Sequence, residues 1–188
     1  RRSQDLAYRP ACDGCSACIP IRVRAGEFRP GKSFRRVLRT NADISGRILP
    51  SRATAEHYEL FHRYLLSRHS DGGMVDMDFG DYRAMVEESP VRSNLAEFRK
   101  ADGSLFAVCL IDVMEDGFSL VYSFFDPDDA DRSPGSFLIL WHILEAQRRG
   151  LAHVYLGYWI EESRKMAYKK RYSPAEILTR TGWLLLRD

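Results

Sequence analysis

The chain has 188 residues, 45% of them hydrophobic and 12% aromatic, with 28 basic against 26 acidic side chains. The formal net charge of +2 supplies no global field for a polyanion, so any nucleic-acid site has to be a local patch. No apolar run approaches the roughly 20 residues of a membrane span and there is no signal-peptide pattern, so no membrane partner is expected; the length fits one domain, or two small lobes sharing a core.

The chain starts at Arg1 rather than Met and is read as beginning inside a longer protein. Its first cluster is "ACDGCSACIP", which sets Cys12, Cys15 and Cys18 at C-x2-C-x2-C spacing. Thiolates so close in sequence can converge on one ion, which points to zinc or an iron–sulfur cluster rather than to a disulfide framework. Three ligands are one short of a closed site. Reduced thiols in a loop are the equal alternative. Cys109 lies in an alternating apolar pattern and reads as core.

Residues 1–50 read as a basic, loop-rich segment, with Arg24, Arg29, Lys32, Arg35, Arg36 and Arg39 little balanced by acid. The main domain is expected over 51–188. It opens with a helix: Thr54 marks the start, and Tyr58, Phe61 and Leu65 recur at helical spacing. "SDGGM" breaks that helix, and a second, shorter one over "DYRAMVEES" stops at Pro90. The period then changes to two. Three strands follow between Asn94 and Phe125, joined by hairpin turns at Asp102-Gly103 and Asp116-Gly117. Next comes an apolar, buried helix with Ser133 as N-cap, Pro134 at its first position and Gly150 past its end. "HVYLGYW" reads as a strand, "EESRKMAYKKRY" as a helix and "GWLLL" as a last strand.

In this last, basic helix, Lys165, Lys169 and Tyr172 would share one face. Lysines interleaved with tyrosines suit phosphate contact and base stacking; a solvated face would explain the cations alone. The loop Arg132-Ser133-Pro134-Gly135-Ser136 looks like a degraded acyl-CoA pyrophosphate loop, with free backbone N–H groups at a helix start. Nucleophilic catalysis finds no G-x-S-x-G elbow and no clustered histidines; His142 reads as a core residue.

The element order resembles an α+β, GNAT-like mixed sheet with flanking helices. "AYRPACDGCSACIPIRV", "HSDGGMVDM", "LVYSFFDPD", "RSPGSF" and "VYLGYWI…SRKMAYKKRYSPAEIL" resemble, in order, the bacterial aminoacyl-tRNA–protein transferases. More narrowly the likeness is to the aspartate/glutamate leucyltransferases, akin to the eukaryotic arginyl-tRNA–protein transferases. It spans about Tyr8 to Trp183. The resemblance implies a cytoplasmic enzyme that passes leucine from leucyl-tRNA to the α-amino group of proteins beginning with Asp or Glu, marking them for N-end rule degradation. Its partners are then aminoacyl-tRNA and proteins with acidic N-termini. No cofactor is required for the chemistry, and a cluster or zinc at Cys12, Cys15 and Cys18 belongs to the full-length protein.

On that reading Tyr158, Trp159 and Lys165 line the reaction centre, with Asp126 as acid/base or amine anchor; a plain turn aspartate is its alternative. Arg83 and Arg92 read the acidic N-terminus. Arg35, Arg36, Arg39, Lys169, Lys170 and Arg171 meet the tRNA. The rival readings are an arginyl transferase, a small-molecule GNAT N-acetyltransferase, and an RNA-binding or redox-sensing module.

Overall fold

In the computed structural model, which describes residues 2–3, 6–69 and 72–187, the alternating run after Pro90 forms the middle of an eight-stranded mixed sheet. The strands are β1 (Ile19–Arg24), β2 (Ser45–Pro50), β3 (Ser93–Arg99), β4 (Leu105–Val113), β5 (Gly117–Phe125), β6 (His153–Trp159), β7 (Ala175–Thr179) and β8 (Gly182–Leu185). Their spatial order is β8-β7-β1-β6-β5-β4-β3-β2. Every neighbouring pair is antiparallel except β5 and β6. The helices are α1 (Lys32–Thr40), α2 (Ala55–Arg68), α3 (Phe79–Glu87) and α4 (Pro134–Arg148). A short ladder of Arg2–Ser3 with Leu6–Ala7 stands apart from the sheet.

The period-two pattern sorts the side chains into two cores. Ala96, Phe98, Cys109, Ile111 and Phe118 face α1 and α4. Leu95, Val108, Leu110 and Phe124 face α2 and α3. Both faces of β4 are therefore covered, and its residues Leu105 to Ile111 are all buried. From α4, Phe137, Leu138, Leu140 and Ile143 are buried, each contributing about 1.5–3 kcal/mol. A parallel pair needs a long crossover, and α4 is the crossover that joins β5 to β6.

The expected helices α2, α3 and α4, the three-stranded meander and the strands at 153–159 and 182–185 are all present. Thr54 caps α2 by accepting the N–H of His57. Helix α2 ends at Arg68, ahead of the break read at "SDGGM", of which Ser70 and Asp71 lie outside the described residues, as does Arg1. Four details differ. The first fifty residues are not loop-rich: they supply β1, α1 and β2, and the sheet thus takes strands from both sides of residue 50. A strand absent from the expectation, β7, follows Pro174 and fills the place between β1 and β8. Ser133 occupies the N-cap position in a left-handed conformation (φ 55) and makes no side-chain cap.

The fourth difference bears on function. The stretch expected as one long basic helix is a run of turns ending in a short 3-10 helix, Ala167–Arg171. The spacing of its lysines is helical, but no apolar stripe backs them. In the tighter geometry residues three apart line up, and Lys169 and Tyr172 both turn inward. Tyr172 is buried and stacks on Phe34 of α1, with ring centroids 4.8 Å apart.

Candidate active site at the parted strands

Strands β5 and β6 run side by side only at Gly117 with His153, Phe118 with Val154 and Ser119 with Tyr155. Two glycines frame that short contact. A Cβ on Gly117 would sit 2.1 Å from the His153 carbonyl oxygen, so only glycine lets the strands close there. Past Ser119 they separate, β5 following β4 and β6 following β1. Each carries a bulge at the parting. Leu110 pairs Tyr122 while Ile111 pairs Leu120, which inserts Val121 in β5. Pro20 pairs Tyr158 while Arg22 pairs Tyr155, which sets Leu156 and Gly157 against Ile21. Gly157 takes φ 76, a conformation that side chains with a Cβ resist. Bulges of this kind bend a strand and re-aim its neighbours beside active sites.

Three clefts meet around the parting. The largest, about 820 Å³, is lined by Leu120, Val121 and Gly157 together with Asp112, Glu115 and Asp116. A second of about 240 Å³ lies under α4 and shares Leu120 and Val121 with the first. A third of about 280 Å³ holds Arg68 and the start of α4, and shares Gly135 and Tyr168 with the second. The route is thus cationic and aromatic at one end, apolar in the middle and acidic at the other. At the acidic end burial alone would raise the Asp116 carboxyl, but bonds from the Tyr155 hydroxyl (2.8 Å) and His153 outweigh it and hold it below the usual range. Burial pushes the Tyr122 and Tyr168 phenols up, Tyr122 to about 12, so both are neutral donors.

Lys169 enters this site. Its ammonium donates to the carbonyl of Leu156 at 2.8 Å and to that of Tyr158, bridging the Gly157 bulge. It therefore stands apart from the surface set to which its sequence neighbours belong. Arg35, Arg36, Arg39, Lys170 and Arg171 are exposed. Two basic segments far apart in sequence meet here, because the Arg171 guanidinium lies 5.5 Å from the Phe34 ring that also stacks on Tyr172.

The other expected residues are scattered around the parting. Tyr158 is half-buried next to the β6 bulge, and Trp159 is 3% exposed in the core under α4 and α1. Lys165 is exposed in the turn that follows. Asp126 ends β5, where its carboxylate accepts the N–H of Asp128 and pairs with Arg63 at 2.8 Å. Arg92 flanks the large cleft: its carbonyl accepts the N–H of Val113, and Val91 and Val113 both line that cleft. Arg83 is exposed on α3. Burial lowers the His142 imidazole to about 4, and its Nδ1 meets the Leu138 carbonyl, so it is a neutral core residue. Arg132 spends its guanidinium on the Thr40 carbonyl and Asp43. Cys12 and Cys15 are exposed and, with Cys18, border a hollow of about 600 Å³. Among the described residues no three His, Cys, Asp or Glu side chains gather closely enough to hold a metal.

Gly157, Leu120, Val121 and the inward turn of Lys169 escape a reading of the sequence. An isolated glycine inside "HVYLGYW" is the available signal for a bulge. The other three depend on how separate segments pack.

The family model described as "Arginine-tRNA-protein transferase, C terminus" matches residues 56–179, and its N-terminus counterpart matches residues 1–36. An aspartate/glutamate leucyltransferase of Paramagnetospirillum magneticum is 55% identical over 97% of this chain and 75% of its own length. One from Rhodospirillum rubrum is 51% identical over 98% and 75%. Among solved structures, the C-terminal domain of a putative lysylphosphatidylglycerol synthetase from Agrobacterium fabrum superposes with TM-score 0.57 at 17% identity, covering 83% of this chain and 52% of that one. FemX gives TM-score 0.55 at 8% identity, covering 78% and 54%. These two likenesses are of fold alone, a GNAT-like mixed sheet with flanking helices.

Proposed function

Because this chain belongs to the arginine-tRNA-protein transferase family, beside the aspartate/glutamate leucyltransferases, we propose that it carries leucine from leucyl-tRNA to the α-amino group of proteins beginning with Asp or Glu, so marking them for N-end rule degradation. The chain is an aminoacyltransferase. The observation that carries the finer reading is the parting of β5 and β6, where clefts from the two sheet faces meet at Leu120 and Val121.

The chemistry asks little of the protein's own nucleophiles. The leucyl ester is already activated, and an α-amine with a pKa of about 7.7–8.0 is partly neutral near pH 7. The amine attacks the ester carbonyl, a C–N bond forms and the bond to the ribose oxygen breaks. That oxygen leaves with a proton, and the attacking nitrogen gives one up. Orientation of the two partners supplies most of the acceleration. Tyr158 and Asp126 stand at the ends of the parted strands. Asp126, already engaged by Arg63, orders that end of β5; Trp159, buried at the end of β6, anchors the other strand, and Lys165 extends from the next turn. Arg92, at the rim of the acidic cleft, and Arg83 on α3 are the candidate readers of the acceptor's acidic side chain.

The tRNA end is assigned to the α1 side, to Arg35, Arg36, Arg39, Lys170 and Arg171. Changing Lys170 and Arg171 together to Ala is expected to weaken leucyl-tRNA binding and flatten its salt dependence by about one unit of log–log slope for every phosphate the two side chains neutralise. The rate at saturating tRNA should hold. An unchanged slope would refute the assignment.

Incubating the full-length protein with leucyl-tRNA and peptides beginning with Asp, Glu or Ala tests the function. The first two should gain the mass of one leucyl residue and the third nothing. Equal labelling of all three overturns the acidic specificity. A small-molecule acetyltransferase would instead bind acetyl-CoA tightly in calorimetry; the engagement of Arg132 by Thr40 and Asp43 argues against that.

A further inference from the structure

In a charged tRNA the amino acid is esterified to the ribose of the unpaired 3′-terminal adenosine. The terminal base therefore has to sit within an aminoacyl unit's reach of the parting, on the side where the basic surface lies. The cleft of about 280 Å³ at the start of α4 has that position. It shares Gly135 and Tyr168 with the small cleft, which in turn reaches Leu120 and Val121 at the parting. Ligand pockets usually start at about 300 Å³, so this hollow suits one nucleoside rather than a run of them. Its walls include Tyr168, Phe125 and Arg68, whose guanidinium lies 5.7 Å from the centre of the Phe125 ring. Tyr168 is 41% exposed despite its size, and its ring meets that of Tyr172 edge-on at 6.4 Å. Tyr172 stacks on Phe34, over which the Arg171 guanidinium lies. A line of rings thus runs from the exposed Arg171 into the cleft. Carboxylates of the adjoining turn are held by other cations, Asp126 and Asp128 by Arg63 and Asp129 by Lys100.

Resting on the leucyl-transfer reading, we propose that this cleft is the subsite for the 3′-terminal adenosine of the tRNA. The adenine stacks on the Tyr168 ring, and Arg68 meets the phosphate that precedes it. An exposed ring beside a cation holds single-stranded ends in this way, because every base has a π face and every link a phosphate. The ester then points past Gly135 toward the parting, and the strand behind it leads toward Arg171 and α1.

The test is equilibrium binding of two tRNAs, one intact and one whose terminal ribose lacks its base. The full-length wild type is compared with Tyr168→Ala, Tyr168→Phe, Arg68→Ala and Gly135→Leu, each checked for folding by thermal melting. Wild type and Tyr168→Phe should hold the intact tRNA about tenfold or more tighter, the scale of one base stacked on a ring. Tyr168→Ala should lose that preference with its salt slope unchanged. Arg68→Ala should keep the preference but flatten the log–log salt slope by about 0.7, the share of one phosphate in a single strand. A Cβ built on Gly135 meets nothing within 4 Å, so Gly135→Leu fills the cleft without a clash and should also lose the preference. It answers alone if Tyr168→Ala loosens the packing on Tyr172 and fails to fold. An unchanged slope in Arg68→Ala overturns the phosphate contact. A wild type with no preference, or folded Tyr168→Ala and Gly135→Leu that keep it, overturns the subsite while leaving leucyl transfer standing. A wild type that transfers no leucine from leucyl-tRNA overturns the transfer reading, and the subsite with it.

Discussion

Gly157→Val is expected to lower leucyl transfer about 100-fold, the scale of a small misplacement of reacting groups, at a stability cost of only about 1–3 kcal/mol. At φ 76 the backbone of Gly157 is closed to a β-branched residue without strain. Relief of that strain flattens the bulge, and the bulge sets where β6 leaves β5. Lys169 would be parted from its pair of carbonyls at the same time, because Leu156 and Tyr158 flank the glycine. The check is steady-state kinetics beside a urea titration. A variant with kcat intact would show that the bulge does not shape the reaction centre. A variant that simply unfolds is distinguished by its urea midpoint, and Gly157→Ala then supplies the milder version of the same change.

The second large effect concerns stability. Glu97 on β3 is buried, at 6% exposure, and accepts from Arg99 through both oxygens at 2.8 and 3.0 Å. His57 of α2 lies 2.9 Å away, and Arg99 also grips Glu56 at the start of the same helix. The network pins α2 to the sheet. Hydrogen bonds from Arg99, helped by His57, pull the Glu97 carboxyl down to about 2 from 4.5. A group depressed in the folded state contributes its stability in full above the unfolded pKa and loses it as pH falls through the folded one. That contribution, about 3 kcal/mol, should therefore be present at neutral pH and disappear between about pH 4.5 and pH 2. Glu97→Gln should cost about 3–5 kcal/mol at neutral pH, since it leaves Arg99 under-compensated in a half-buried position. It should also flatten the acid limb of the stability curve. Equal acid limbs in wild type and variant would mean that other carboxylates carry the pH dependence.

Most of the fold is legible in the sequence because its signals are local. Thr54 before an apolar helical stripe, the Asp-Gly turns and the period-two runs each name an element without reference to the rest. What escapes is set by distant partners. β1 and β7 carry mixed side chains that make sense only once β1 lies between β6 and β7. The stretch from Glu161 to Tyr172 has helical spacing, yet the pull of Phe34 on Tyr172 and of two strand carbonyls on Lys169 turns it into a tight coil. The same limit applies at the site. The basic residues are visible as cation density, and the shared Phe34 contact explains why two separate segments form one surface. Which lysine faces solvent and which turns inward cannot be read from order alone: Lys170 is exposed, while the adjacent Lys169 bonds the carbonyls of Leu156 and Tyr158.

Leucyl transfer at the parted strands is tested most directly by the structure of the full-length protein bound to an adenosine carrying leucine through a non-hydrolysable 3′-amide. The leucyl side chain should lie between α4 and β5 against Leu138 and Ile139, with its carbonyl at the parting beside Val121 and the adenosine toward Arg68 and Tyr168. A leucyl group lodged instead in the acidic cleft, against Asp112 and Asp116, would contradict it.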